Sequence, residues 1–183
     1  MKKQIFCLMA AFSFVTGVYA HSDDGPATAQ YLANEGLMVT HGETKVVFDP
    51  LFRNSYGNYQ LLPKHMEEAL FAGAPPFDGI DAIFISHYHG DHFSPEDVLH
   101  LLIAQADIQL YAPAQAVEAM RKVAGSGDVD VFERVTAVEL AYKDAPVSLE
   151  MDGLQIGAVR IPHSGWPTGR LDVENISWRV TLD

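Results

Sequence analysis

The chain has 183 residues, 48% of them hydrophobic and 20% charged, which fits one globular domain with a real core. Its 12 basic and 24 acidic side chains give a formal net charge of −12, which argues against nucleic acid as a partner because a polyanion needs a basic face. A single cysteine, Cys7, leaves no basis for a disulfide framework.

Lys2 and Lys3 precede an apolar run over residues 5–18, which closes on Val18-Tyr19-Ala20 with small residues where a signal peptidase reads. That run is short of the roughly 20 residues a bilayer span needs. Residues 1–20 are therefore expected to be removed on export, leaving a periplasmic or secreted chain with no stable membrane insertion. Without Lys2 and Lys3, 10 basic residues face 24 acidic ones and the net charge becomes −14. Residues 21–28, with Asp23-Asp24-Gly25-Pro26, read as a flexible lead-in to a single domain over residues 29–183.

From Ala29 the pattern is β. Residues 30–33 and 36–40 read as strands, followed by a turn at 41–44 and a further strand at 45–48 that Asp49-Pro50 stops. Asn34-Glu35-Gly36 reads as a bulge in which Gly36 takes the unusual backbone angle. Residues 52–63 show no period and form a long aromatic and polar loop of the kind that borders binding sites. Tyr56 and Tyr59 are its candidate substrate-lining residues. A short helix is expected over residues 65–71, ended by Gly73 and Pro75-Pro76.

Residues 80–85, Ile-Asp-Ala-Ile-Phe-Ile, read as a short buried strand that opens into a loop carrying His87, His89, Asp91 and His92. Three imidazoles and a carboxylate within six residues are ligand types for zinc and related divalent ions. Positions 87 and 89 alternate along an extended backbone and so converge, while Asp91 and His92, beyond Gly90, can face a second ion. His87-Tyr88-His89-Gly90-Asp91-His92 resembles the His-x-His-x-Asp-His signature of the metallo-β-lactamase superfamily. The resemblance implies a metal-dependent hydrolase. It also implies that Asp49, at the end of its strand, lies beneath the metal loop as a support for a ligand, whereas the residues alone allow a simple turn before Pro50.

Beyond the loop, Ser94-Pro95-Glu96-Asp97 reads as a helix start, with a serine cap, proline in the first position and acids in the first turn. A strand over 108–111 and a helix over 113–123 continue the βαβ alternation. Short strands follow at 137–140, 147–151, 154–161 and 175–182, with Asp152-Gly153 as a hairpin turn. Strand 154–161 runs into Pro162-His163, and the resemblance implies that His163 is the third imidazole of the first metal. Trp166, in the turn-rich loop beside it, is a candidate rim residue.

The resemblance implies an α/β fold, the αββα four-layer sandwich, and two divalent ions, zinc first, with manganese or iron as alternatives. His87, His89 and His163 would hold one ion and Asp91 and His92 the other, with Asp91 also orienting the attacking hydroxide. The nearest branch is the one with lactonases and N-acyl-phosphatidylethanolamine phospholipase D-like enzymes. The substrate is expected to be a small molecule with an ester, lactone, amide or phosphodiester bond. A non-catalytic periplasmic metal-binding protein and an inactive truncated relative remain alternatives. Only the N-terminal portion of the family pattern is present, since the resemblance leads one to expect a later Asp and His. A sandwich cut short in its second half is expected to expose an apolar sheet face.

Overall fold

A computed structural model of the chain describes residues 25–165, 167 and 169–182. The expected leader at residues 1–20, the first part of the lead-in at 21–24 and the candidate rim residue Trp166 lie outside them. Strands β1 (Thr28–Ala33), β2 (Gly36–His41) and β3 (Thr44–Phe48) form an antiparallel meander. Helix α1 (Lys64–Ala72) then leads to β4 (Ala82–Phe84), which pairs parallel to β3. Helix α2 (Pro95–Ala104), β5 (Gln109–Pro113), helix α3 (Ala114–Val123) and β6 (Val135–Val138) extend the sheet by parallel pairing. Strands β7 (Val147–Met151), β8 (Leu154–Ile161) and β9 (Asn175–Leu182) form a separate antiparallel sheet.

The six-stranded sheet is buried on both faces, which is why its central strands read as continuous apolar runs. Val47, Ile83, Ile85 and Leu110 pack toward the helices with Leu101, Leu102 and Met120. Val46, Ala82, Phe84 and Tyr111 face the other way, onto Leu154 and Ile156 of the small sheet. Phe84 is wholly buried there, with Phe48, Tyr111 and Trp178 centred 5.1, 5.2 and 5.2 Å from its ring. The result is an α/β layering of helices, mixed sheet and small antiparallel sheet.

Several local expectations need correction. Between β1 and β2 the left-handed residue is Asn34, at φ 40°, and the irregular register lies between Tyr31 and Ala33. Gly36 is required for space instead: a Cβ there would lie 2.9 Å from the Ala33 carbonyl oxygen and 3.3 Å from that of Asp49. A 3-10 turn, Val129–Arg134, precedes β6 and shifts that strand two residues earlier than its apolar pattern suggests. Arg134, the last residue of that turn, donates to the carbonyls of Leu102 in α2 and of Gln105 and Ile108 beyond it. The small sheet does not present an apolar outer face. Its outward row is Ser148, Glu150, Gln155, Gly157, Arg179 and Thr181, with Val159 half-buried and only Ile161 an exposed apolar residue at the strand end. Strict alternation along the three strands turns their larger apolar side chains inward.

Candidate metal centre

The site forms at the carboxyl ends of β3 and β4, where an open α/β sheet offers a crevice. Asp49 leaves β3 with φ 39°, an unfavourable angle for a non-glycine residue, while its N–H donates to the Phe84 carbonyl at 3.0 Å. This geometry turns its carboxylate, 4% exposed, beneath the next loop. Oδ1 accepts from Ser86 N at 2.8 Å, and Oδ2 accepts from Ser86 Oγ at 2.6 Å and lies 2.8 Å from His92 Nδ1.

This arrangement fixes the protons. A serine hydroxyl has one proton, and here it goes to Asp49, so Ser86 Oγ is left to accept from His87 Nδ1 at 3.1 Å. His92 Nδ1 donates to Asp49. In the neutral form of both rings Nε2 is thereby left with a free lone pair, as a metal ligand requires. Sequence reasoning passed over Ser86; its only signal was a hydroxyl directly before the first histidine.

The loop itself is a single tight turn, with His92 N and Phe93 N both donating to the His89 carbonyl at 3.0 and 2.9 Å. Gly90 O accepts from Arg53 N and Asn54 N at 3.2 and 2.8 Å. A Cβ on Gly90 would meet Asn54 Cβ at 3.2 Å, so close approach rather than a special dihedral calls for glycine. Asn34 Nδ2, from the β1–β2 turn, donates to the Asp91 carbonyl at 2.8 Å, another contact without a sequence signal.

His163 arrives from the second sheet because β9 is tied to the end of β4: Ile176 N donates to Ser86 O at 2.9 Å and Trp178 Nε1 to Ile85 O at 3.0 Å. His163 Nε2 lies 3.1 Å from His87 Nε2. Two nitrogens bound tetrahedrally about 2.0–2.1 Å from one ion sit roughly 3.3 Å apart, so the pair fits a metal. His163 Nδ1 is buried without a hydrogen-bond partner among the described residues. The rings of His87 and His89 are 4.9 Å apart, and those of His89 and His163 4.7 Å.

Two groups of three side chains bring ligand atoms within 4.8 Å of one another: His87, His89 and His163, and His87, Asp91 and His92. All five candidate ligands are thus gathered, but His87 belongs to both groups, whereas the sequence assigned it to one. Burial, then its histidine neighbours, push His87 down to about 2, so its ring is neutral. Burial also lowers His89 and His163, with the charge of Arg170 acting in the same direction on both. Burial is the largest influence on His92 and works against its charge, but the hydrogen bond it donates to Asp49 and the charges of Asp49, Asp91 and Glu35 together outweigh it and hold His92 above the usual value. Asp172, after His163, lies outside both groups.

Of the other candidates, Tyr56 and Tyr59 are exposed on the loop that follows the Gly90 contact, stacked edge to face at 6.2 Å.

Comparison with known proteins gives two kinds of relative. A family model described as Beta-lactamase superfamily domain matches residues 44–183. UPF0173 protein YddR of Bacillus subtilis (strain 168) is 26% identical over 116 residues, covering 59% of this chain and 44% of YddR. A crystal structure of a candidate metal-dependent hydrolase from Parabacteroides distasonis ATCC 8503 superposes with a TM-score of 0.53 at 18% identity, covering 86% of this chain and 56% of that one. The chain thus spans about half the length of the relatives it matches.

Proposed function

From the premise that this chain belongs to the metallo-β-lactamase superfamily, whose domain match takes in residues 44–183, we propose that it is an exported hydrolase using two divalent ions, zinc first, against an ester, lactone, amide or phosphodiester. The observation that carries this reading is the pair of three-residue ligand groups sharing His87. Ions held there supply Lewis-acid polarisation of the scissile group and activation of water near neutral pH.

The chain's own residues supply the rest. Asp49, through Ser86 and directly, keeps the Nδ1 protons of His87 and His92 turned away from the site. Asp91 offers the carboxylate that accepts and holds a proton from the attacking water, with its backbone fixed by Asn34. Tyr56 and Tyr59 form an apolar wall for the body of a small-molecule substrate. The acidic balance of the chain supports small molecules over nucleic acid.

Metal analysis of the full chain and its single variants tests the proposal. His163→Ala should cost one ion, His92→Ala the other, and His87→Ala both. Chelation should abolish turnover of model esters or phosphodiesters, and added metal should restore it. Full metal content in His87→Ala would overturn the assignment, and bound metal without turnover of any of the four bond types would favour a non-catalytic metal-binding role.

A further inference from the structure

The loop between β8 and β9 closes on itself: Gly169 N donates to Gly165 O at 2.7 Å, so the chain returns to a point two residues beyond His163 before Arg170 begins. The backbone after Arg170 is fixed as firmly. Val173 N donates to Arg170 O at 3.2 Å, Arg160 Nη2 to Leu171 O at 2.8 Å, and Gln115 Nε2 to Asp172 O at 2.8 Å. Arg170 itself has φ 51°, an outlier for a non-glycine residue and of the kind that gathers at ligand sites.

The side chain, by contrast, is uncommitted. Among the described residues its side chain meets only Asp172, at 3.3 Å from Nε and 3.5 Å from Nη2, with both side chains at least half exposed. Such a pair is worth little and exchanges readily with a better ligand. Arg53 differs because it is held between Glu67 and Asp97, and Arg160 because it is bonded to the Leu140 and Leu171 carbonyls. Because Gly169 is bonded back to Gly165, Arg170 resumes the chain beside the segment that leaves His163. A cation gains nothing from a site that gathers metal ions. It gains from an anion that reaches both.

We propose that Arg170 is a specificity-determining residue that anchors an oxyanion of the substrate, a phosphate or a carboxylate, beside the His87, His89 and His163 group, with Asp172 occupying the guanidinium until the substrate displaces it. This rests on the hydrolase reading above and narrows its substrates to anionic ones. Arginine suits the role because its planar fork meets such oxygens in pairs.

The test is calorimetric binding of inorganic phosphate and of succinate to the full chain, with and without added zinc, for the parent, Arg170→Ala, Arg170→Lys and Asp172→Asn. Arg170→Ala should weaken binding about tenfold or more, and Arg170→Lys should retain part of it. Asp172→Asn should tighten binding, a gain that mere structural damage would not produce. The tighter of the two probes identifies the oxyanion. Equal affinity in parent and Arg170→Ala, with Asp172→Asn unchanged, would overturn the inference. Metal content measured on the same samples separates that failure from failure of the metal reading, because the Arg170 difference is scored in both the zinc-loaded and zinc-free chains.

Discussion

His87 and His92 both place Nδ1 3.1 Å from the Ser86 hydroxyl oxygen, yet their surroundings push them in opposite directions. In the metal-free chain His87 stays neutral when folded, with its value near 2, but takes up a proton below about 6.5 when unfolded. Its contribution to stability is complete above 6.5 and is lost as pH falls. Between pH 7.5 and 5 that loss is about 2 kcal/mol. His89 and His163, also lowered, act in the same sense. His92 is raised, so its contribution is complete below 6.5 and fades as pH rises through its folded value. Three groups against one predict that the chelated protein melts lower at pH 5 than at 7.5, and that His87→Asn flattens the slope. A Tm that is level or rises on acidification would show that burial does not govern these rings. At this scale the sequence was informative where the chemistry is local, since the ligands of the 87–92 loop announce themselves by type and spacing. Ser86 and Asn34 were not legible, because their roles depend on Asp49 and Asp91, 37 and 57 residues away.

Among the elements, the segment after β3 is the clamp on the metal loop. Leu51 O accepts from Ser94 N, and Arg53 N and Asn54 N donate to Gly90 O. The Arg53 side chain then spans α1 and α2, with Nε 2.5 Å from Asp97 Oδ2, Nη2 2.8 Å from Asp97 Oδ1, and a further bond to Glu67. Burial, the largest influence, favours the neutral form of Asp97, but Arg53 together with Ser94 and His100 outweighs this and holds it below the usual carboxylate range. Because Arg53 is half-exposed, solvent screens the pair, and Arg53→Ala should cost about 1 kcal/mol, or roughly 3 °C in Tm. Arg53→Lys should recover less than half, since an ammonium cannot fork onto both oxygens. Denaturant titration decides it; indifference to Arg53→Ala would mean the backbone bonds alone hold the clamp. The start of α2 was readable from Ser94-Pro95, and Ser94 Oγ does accept from Asp97 N. The earlier start of β6 was not readable, because the turn before it is held by Arg134 on carbonyls 26 and 32 residues away.

At the scale of the whole molecule, the decisive contact is the one joining the two sheets at the site. The strands within residues 147–182 were readable as strands, but no local pattern shows that their larger apolar side chains all turn inward or that β9 docks on the end of β4. Trp178 makes that junction, its ring 5.2 Å from Phe84 and its Nε1 donating to Ile85 O, one residue before Ser86. The His87, His89 and His163 group exists only while this docking holds, whereas His87, Asp91 and His92 all lie on one loop. Trp178→Phe keeps an aromatic ring between the sheets but removes the donor. The Ile85 carbonyl then loses a partner at a cost of about 1–2 kcal/mol. The site consequence should be unequal: metal affinity at the three-histidine group falls while the Asp91 and His92 group keeps its ion. Metal titration of Trp178→Phe in the His92→Ala and His163→Ala backgrounds, where one group at a time remains, reads the two affinities separately. Equal loss at both groups would point to general loosening of the fold, and no loss at either would show that Ile176 N on Ser86 O is enough to bring His163 home.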